Sequence, residues 1–203
     1  MRKLFFLPVL LFALASVSFA QTGGEYNKVE FYGGYSHNRV DTGLSDDDPE
    51  FSDIVNEREG YHGFNASVTG NLTRYVGLKA DYSFHRKTFD VTDGTMTVGV
   101  KSNLHNFLGG VQFKDNSTET KVKPFAHILA GVARSTFSLT NAPVGIDSSD
   151  FDDTGFAIAI GGGLDFRVSP RIDIRAIQFD YNPNRFDGDT SHNFRIGAGI
   201  VIH

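Results

Sequence analysis

Gly155-Phe156-Ala157-Ile158-Ala159-Ile160-Gly161-Gly162-Gly163-Leu164-Asp165-Phe166-Arg167-Val168 is the stretch on which the reading of this chain turns. Phe156, Ile158, Ile160, Leu164 and Phe166 fall on one parity; Ala157, Ala159, Gly163, Asp165 and Arg167 fall on the other. Successive side chains of a strand point to opposite faces, so this segment has one apolar side and one small or charged side. The three glycines lie inside the strand and precede no helix, so they are not a phosphate loop. They ease the curvature of a small sheet instead.

Working outward, the same period of two recurs along the chain. It predicts strands at about Lys28–Arg39, Tyr61–Leu72, Val76–His85, Val98–Phe113, Val122–Ala133, Gly155–Val168, Ile172–Tyr181 and Ser191–Ile202. The fifth has two readings, because both Ala126/Ile128/Val132 and Phe125/Leu129 could form its apolar face. Long connections at about Val40–Gly60 and Arg134–Thr154, and shorter ones at Lys87–Thr97 and Asn182–Thr190, alternate with tight turns at Thr73–Tyr75, Asp115–Lys121 and Ser169–Arg171. Membrane barrels sort their connections in this way, with short turns on the periplasmic side and longer loops outside.

The start of the chain agrees. Arg2 and Lys3 precede an apolar run from Leu4 to Ala15, and Ala15, Ser18 and Ala20 are small residues ahead of Gln21. Residues 1–20 read as a cleavable signal peptide, since the apolar run is short of the ~20 residues of a spanning helix. The expected architecture is therefore an all-β, eight-stranded antiparallel up-and-down transmembrane β-barrel formed by residues 21–203. An even strand count suits a single-chain bacterial barrel. A soluble lipocalin-like binder is the architectural alternative, with an apolar interior and a polar outside.

Composition narrows the partners. The formal charge is −5, and loss of Arg2 and Lys3 with the leader takes it to about −7, which argues against nucleic acid. The chain has no Cys, which excludes a disulfide scaffold and a thiolate metal site. With no Trp, its 19 Phe and 7 Tyr must supply any aromatic belt.

Phe31-Tyr32-Gly33-Gly34-Tyr35-Ser36, Pro124-Phe125-Ala126-His127 leading to Gly131-Val132-Ala133, Arg175-Ala176-Ile177-Gln178-Phe179-Asp180-Tyr181 and Asn193-Phe194-Arg195-Ile196-Gly197-Ala198-Gly199-Ile200 together with the leader carry a resemblance. The chain resembles the small eight-stranded outer-membrane barrels of the OmpA and OmpX type over nearly all of its mature length. The resemblance implies a place in the outer membrane, contact with its lipid and lipopolysaccharide, and insertion by the assembly machinery for such barrels. It spans adhesion, virulence and envelope-integrity roles without choosing among them. Its members usually end in an aromatic residue in phase with the lipid face. Here Ile202 keeps the phase, and His203 stands one position short of that residue.

Glu30, Lys79, Asp81, Asp165, Arg167, Asp173, Arg175, Asp180 and Arg195 take the inward parity. Eight strands enclose only enough room for side chains, and buried charges must be paired, so these residues are expected to form a structural salt-bridge network. Asp173 and Arg175 are odd while Gln178 and Asp180 are even. One β-bulge near Ala176 and Ile177 would turn all four inward.

No catalytic, cofactor-binding or metal-binding residue is expected. The histidines at 37, 62, 85, 105, 127, 192 and 203 show no nucleophile–base spacing, whereas lipid A deacylase barrels present such a triad to the membrane. Asp46-Asp47-Asp48-Pro49-Glu50 and Asp147, Asp150, Asp152 and Asp153 read as solvated acidic loops, with cation bridging to lipopolysaccharide phosphates as the second reading. The expected function is that of a monomeric, non-enzymatic outer-membrane barrel with a structural or surface-interaction role. A narrow pore and a lipid-modifying enzyme are the alternatives.

Overall fold

The computed structural model describes residues 26–40, 59–93, 96–140 and 151–203. Eight strands close a barrel in sequence order: β1 Val29–Val40, β2 Glu59–Asn71, β3 Val76–Asp93, β4 Met96–Lys114, β5 Val122–Thr140, β6 Phe151–Ser169, β7 Ile172–Phe186 and β8 Asp189–Ile202. Every neighbouring pair is antiparallel, and β1 closes on β8 from Phe31 opposite Ile202 to Arg39 opposite Phe194. Closure leaves no strand edge, so the backbone hydrogen-bonding groups are satisfied within the sheet, as a membrane interior demands.

The alternation read from the sequence becomes an inside and an outside. Phe156 and Ile160 face outward and are exposed, while Ala157, Ala159 and Asp165 are fully buried in the lumen. Elsewhere the outer wall is carried by Phe31, Tyr35, Phe64, Leu78, Phe107, Phe113, Ile174, Phe179, Ile196 and Ile200. A polar interior within an apolar exterior is the reverse of a lipocalin, which removes the soluble alternative. The fifth strand takes one of its two readings: Ile128 and Val132 point out, and Phe125 and Leu129 are buried inside. Leu129 joins Leu104, Leu108, Ala133, Ala157 and Ala159 in a small apolar cluster on one inner wall.

Four strands run further than their hydropathy suggests. The β3–β6 strands hold 18 or 19 residues each, more than the ~9–11 that cross a bilayer. The expected connection at Lys87–Thr97 is mostly paired strand, from Lys87 opposite Ser102 to Asp93 opposite Met96. Likewise Arg134–Thr140 extends β5, and Phe151–Thr154 extends β6. Beyond the membrane the outer face need not be apolar, so pairing continues after the hydropathy signal has faded. The Asn182–Thr190 connection shrinks to Asp187-Gly188, both with positive φ (45° and 101°). That pair is the backbone shape of a two-residue hairpin turn, and Asp-Gly favours it. The leader and the acidic residues 46–50, 147 and 150 lie outside the described residues.

The opposite rim is tightly tied. Thr73 Oγ1 accepts from the Tyr75 and Val76 amides, closing the β2–β3 turn. Arg74 donates two hydrogen bonds to the Asp115 carboxylate, at 2.7 and 2.9 Å, linking that turn to the next. The Asn27 amide donates to Asn116 O, which docks the segment before β1 on the same rim.

Candidate functional site

The lumen is where the chain concentrates its chemistry. Inward parity on β1, β3, β6, β7 and β8 delivers Glu30, Lys79, Asp81, Asp165, Asp173, Arg175, Asp180 and Arg195, all of them buried. Lys114 at the end of β4 and Lys123 at the start of β5 join them. The acids Glu30, Asp81, Asp165, Asp173 and Asp180 thus meet the bases Lys79, Lys114, Lys123, Arg175 and Arg195 one for one.

Two lobes make up the network. Towards the short-turn rim, Lys114 Nζ donates to Glu30 at 2.7 Å and to Asp165 at 2.8 Å, and Lys123 Nζ donates to Asp173 at 2.9 Å. His203 turns inward here, its Nε2 lying 2.9 Å from Asp173. Arg175 grips Asp165 with Nε and Nη2 at 2.8 and 3.0 Å, and its guanidinium lies between the rings of Phe125 and Tyr32, 3.9 and 4.2 Å from their centroids. Aromatic faces suit a guanidinium held away from water. Deeper in the barrel, Arg195 bridges Asp81 (Nη1, 3.0 Å) and Asp180 (Nε, 2.8 Å). Lys79 Nζ lies 3.8 Å from Asp81, and His127 Nε2 lies 2.9 Å from Asp180.

Gln178 joins the lobes, accepting from Arg175 Nη1 and donating to Asp180, each at 2.8 Å. It can do so because β7 is irregular. Arg175 opposes Gly199 but Gln178 opposes Gly197, so Ala176 and Ile177 share one partner position and both face outward. The bulge lies where the change of parity requires it and turns Arg175, Gln178 and Asp180 into one lumen. Gly161 and Gly163 supply the space beside them: a Cβ at Gly163 would come within 2.9 Å of the Phe125 ring, and one at Gly161 within 2.7 Å of the Asp180 Cα.

Arg167 stands apart. It sits opposite Asp173 in register, but its guanidinium turns to the rim and donates to the Ser169 and Pro170 carbonyls. Lys114, Lys123, His127 and His203 are the network members that strand parity missed. The available signal was the charge imbalance, since the inward acids outnumber the inward bases unless further cations join them.

Above the charges the lumen is lined by neutral polar groups. Asn38, Asn106, Asn182 and Asn184 are buried, and each keeps at least one side-chain amide atom without a protein partner. Here the structure also brings together a pair that the spacing of the sequence did not show: His85 Nε2 and Ser36 Oγ lie 2.9 Å apart. A nucleophile needs its base oriented by a third group. His85 Nδ1 has no partner, and Asp81 is engaged by Arg195. Both residues are buried on the inner face, away from lipid.

Fold and lumen together define a closed eight-stranded transmembrane barrel filled by its own side chains. The sequence profile of the outer membrane protein beta-barrel domain family matches residues 7–201, and the chain belongs to that family. It is an outer-membrane protein. Ail, the attachment invasion locus protein of Yersinia pestis, solved with the heparin analogue sucrose octasulfate, superposes with a TM-score of 0.55 at 19% identity, over 86% of this chain and 97% of Ail. Neisserial surface protein A superposes with a TM-score of 0.59 at 12% identity, over 89% of this chain and 99% of that one. At such identities the likeness concerns the fold. No curated protein matches the sequence.

Proposed function

We propose that this protein is a non-conducting, non-enzymatic outer-membrane anchor whose exposed end carries a structural or surface-interaction role. One observation supports this reading above all others: the balanced ion-pair network that crosses the lumen. Arg175 and Arg195 are each 1% exposed, and both are held on several sides. A pathway for ions would have to break these pairs, and leaving one buried charge unpaired costs ~3 to 5 kcal/mol. The Ser36–His85 contact supports no catalytic role, because it faces the lumen without an orienting carboxylate. Ail, an attachment protein by its name, lends the surface role analogy of fold only.

Residues 1–20 serve in this reading as the export signal, so the mature protein begins at Gln21. N-terminal sequencing of the protein from outer-membrane fractions tests that step. The plug itself is tested by conductance in planar bilayers. The anchor reading expects no steps from wild type, and steps on weakening the network with Arg175→Ala. Regular steps from folded wild-type protein would favour the narrow pore, the reading that the unpartnered asparagine amides above the plug recommend.

A further inference from the structure

Three of the hairpins carry one unit on their outer wall, a tyrosine whose Oη meets the Nδ1 of a histidine one layer nearer the long-loop rim. The distances are 2.5 Å for Tyr35 and His62, 3.0 Å for Tyr82 and His105, and 2.5 Å for Tyr181 and His192. What faces the histidine across the strand pair differs. His105 is opposed by Phe84 and Arg134, and His192 by Pro183, whereas His62 is opposed by His37. One unit of the three therefore presents two imidazoles side by side.

That pair has the spacing of shared ligation. With metal–nitrogen distances of ~2.0–2.1 Å, and an angle at the metal between square and tetrahedral, two imidazoles on one ion hold their ring centres about 4.5 to 5.2 Å apart. The rings of His37 and His62 have their centroids 4.7 Å apart and are tilted by 51°, so they are not a parallel stack. Tyr35 sets the tautomer of His62: with Nδ1 donating to the Tyr35 oxygen, Nε2 keeps a free lone pair, the arrangement that orients metal-bound histidines. His37 Nδ1 is shut off from solvent and has no protein partner. A buried polar atom left unpaired is costly, and an ion beside it removes that cost. Gly60 gives the His37 ring its seat, since a Cβ there would lie 2.8 Å from Cε1. His62 is exposed, so the pair is open from outside the wall.

We propose that His37 and His62 bind one divalent late transition-metal ion, with Tyr35 as the positioning residue. Imidazole suits such ions, copper(II) standing highest in their affinity order, whereas Mg²⁺ and Ca²⁺ take oxygen ligands. Among the described residues no third His, Asp or Glu joins the pair, so solvent oxygen fills the remaining positions, as in open zinc sites. Arg39 opposes Gly60 one layer further out, and Arg86 opposes His62 but turns towards β4, donating to Asn103 Oδ1 at 2.7 Å. Their charge works against a cation held loosely through oxygen and leaves the imidazole lone pairs to select the ion. The site lies on the outer wall and is independent of whether the lumen conducts.

The test titrates Cu²⁺ into the full mature protein in maltoside micelles, which offer no phosphate, and counts bound imidazoles by electron spin-echo envelope modulation. Wild type should bind one ion through two imidazoles. His37→Phe and His62→Phe should each leave one imidazole and weaken binding at least about tenfold, while Tyr35→Phe should keep both and weaken binding about tenfold, as loss of a group that orients a metal ligand does. His105→Phe with His192→Phe, which removes the two unpaired units, should change neither readout. Millimolar Mg²⁺ should not compete. Copper bound through no more than one imidazole in wild type overturns the site even if the variants fail to fold. Unchanged binding by a folded His37→Phe variant does so too, since the two rings would then be an aromatic contact only, as does competition by Mg²⁺.

Discussion

Replacing Arg195 by Ala removes the cation that holds two carboxylates together in the centre of the barrel. Arg195 lies 3.0 Å from Asp81 and 2.7 Å from Asp180, with every partner fully or almost fully buried. Lys79 and His127 remain beside the two acids, so the local cluster passes from neutral to a net charge of one. Lys79 sits 3.8 Å from Asp81, a separation at which opposite charges attract by about 4 kcal/mol at an effective dielectric constant of 20. That pair survives, and Asp180 is the group left exposed to the loss. Breaking a buried pair from one side costs ~3 to 5 kcal/mol. Removing Asp180 as well restores neutrality, so the double variant Arg195→Ala with Asp180→Ala should be less damaged than Arg195→Ala alone. The expected coupling is about 2 to 3 kcal/mol, in the upper range for contacting residues. Urea titration of the four proteins in detergent micelles, read by the heat-dependent gel shift of closed barrels, measures the cycle. Strictly additive losses would refute direct coupling and with it the account of the network.

Ile160 faces outward near the middle of β6 and is 50% exposed, so Ile160→Arg should cost ~2 to 4 kcal/mol of barrel stability in a bilayer, measured by the same titration in vesicles. The Arg74 guanidinium, with help from Thr120 and the Ser117 amide, holds the Asp115 carboxyl well below the usual carboxylate range. A depressed acid contributes stability above its unfolded value near ~4 and loses it as pH falls through the folded value. Asp115→Asn should therefore cost about 1 kcal/mol or less between pH 6 and 8, since the pair is partly exposed, and progressively less below pH 4. A cost that grows on acidification would contradict the assignment.

Much of this structure is legible in the chain because a membrane barrel obeys a period of two with a sign reversal. Phe156, Ile158 and Ile160 against Ala157, Ala159 and Asp165 already give the inside and outside of β6. The change of parity between Arg175 and Gln178 gives the bulge, because a carboxylate at Asp180 has no place in lipid. Strand ends are harder to read. Once β3 to β6 leave the bilayer, nothing distinguishes their outer face from a loop, and pairing alone carries them on. Lys114 and Lys123 escaped notice for related reasons: one lies a single residue past the expected end of β4, the other on a strand whose two faces are both apolar. The Ser36–His85 contact joins β1 to β3 over the inner face of β2, and no spacing along a chain encodes such a contact. Arg167 has the inward parity yet serves the β6–β7 turn, because at the rim a long side chain can reach backbone carbonyls instead.

The central claim is that the apolar parity meets lipid while the polar parity fills a closed lumen. Site-directed spin labelling tests it directly, since the chain has no Cys to remove. Labels placed singly at Phe156, Ile158 and Ile160, and at inward Ser83, are read in vesicles for collision with oxygen and with a water-soluble nickel chelate, after the gel shift confirms folding. The account predicts high oxygen and low nickel access at the three outward positions, and low access to both at Ser83. Nickel access at Ile158 and Ile160 would show a water-facing wall, and nickel access at Ser83 an open channel; either result contradicts the account.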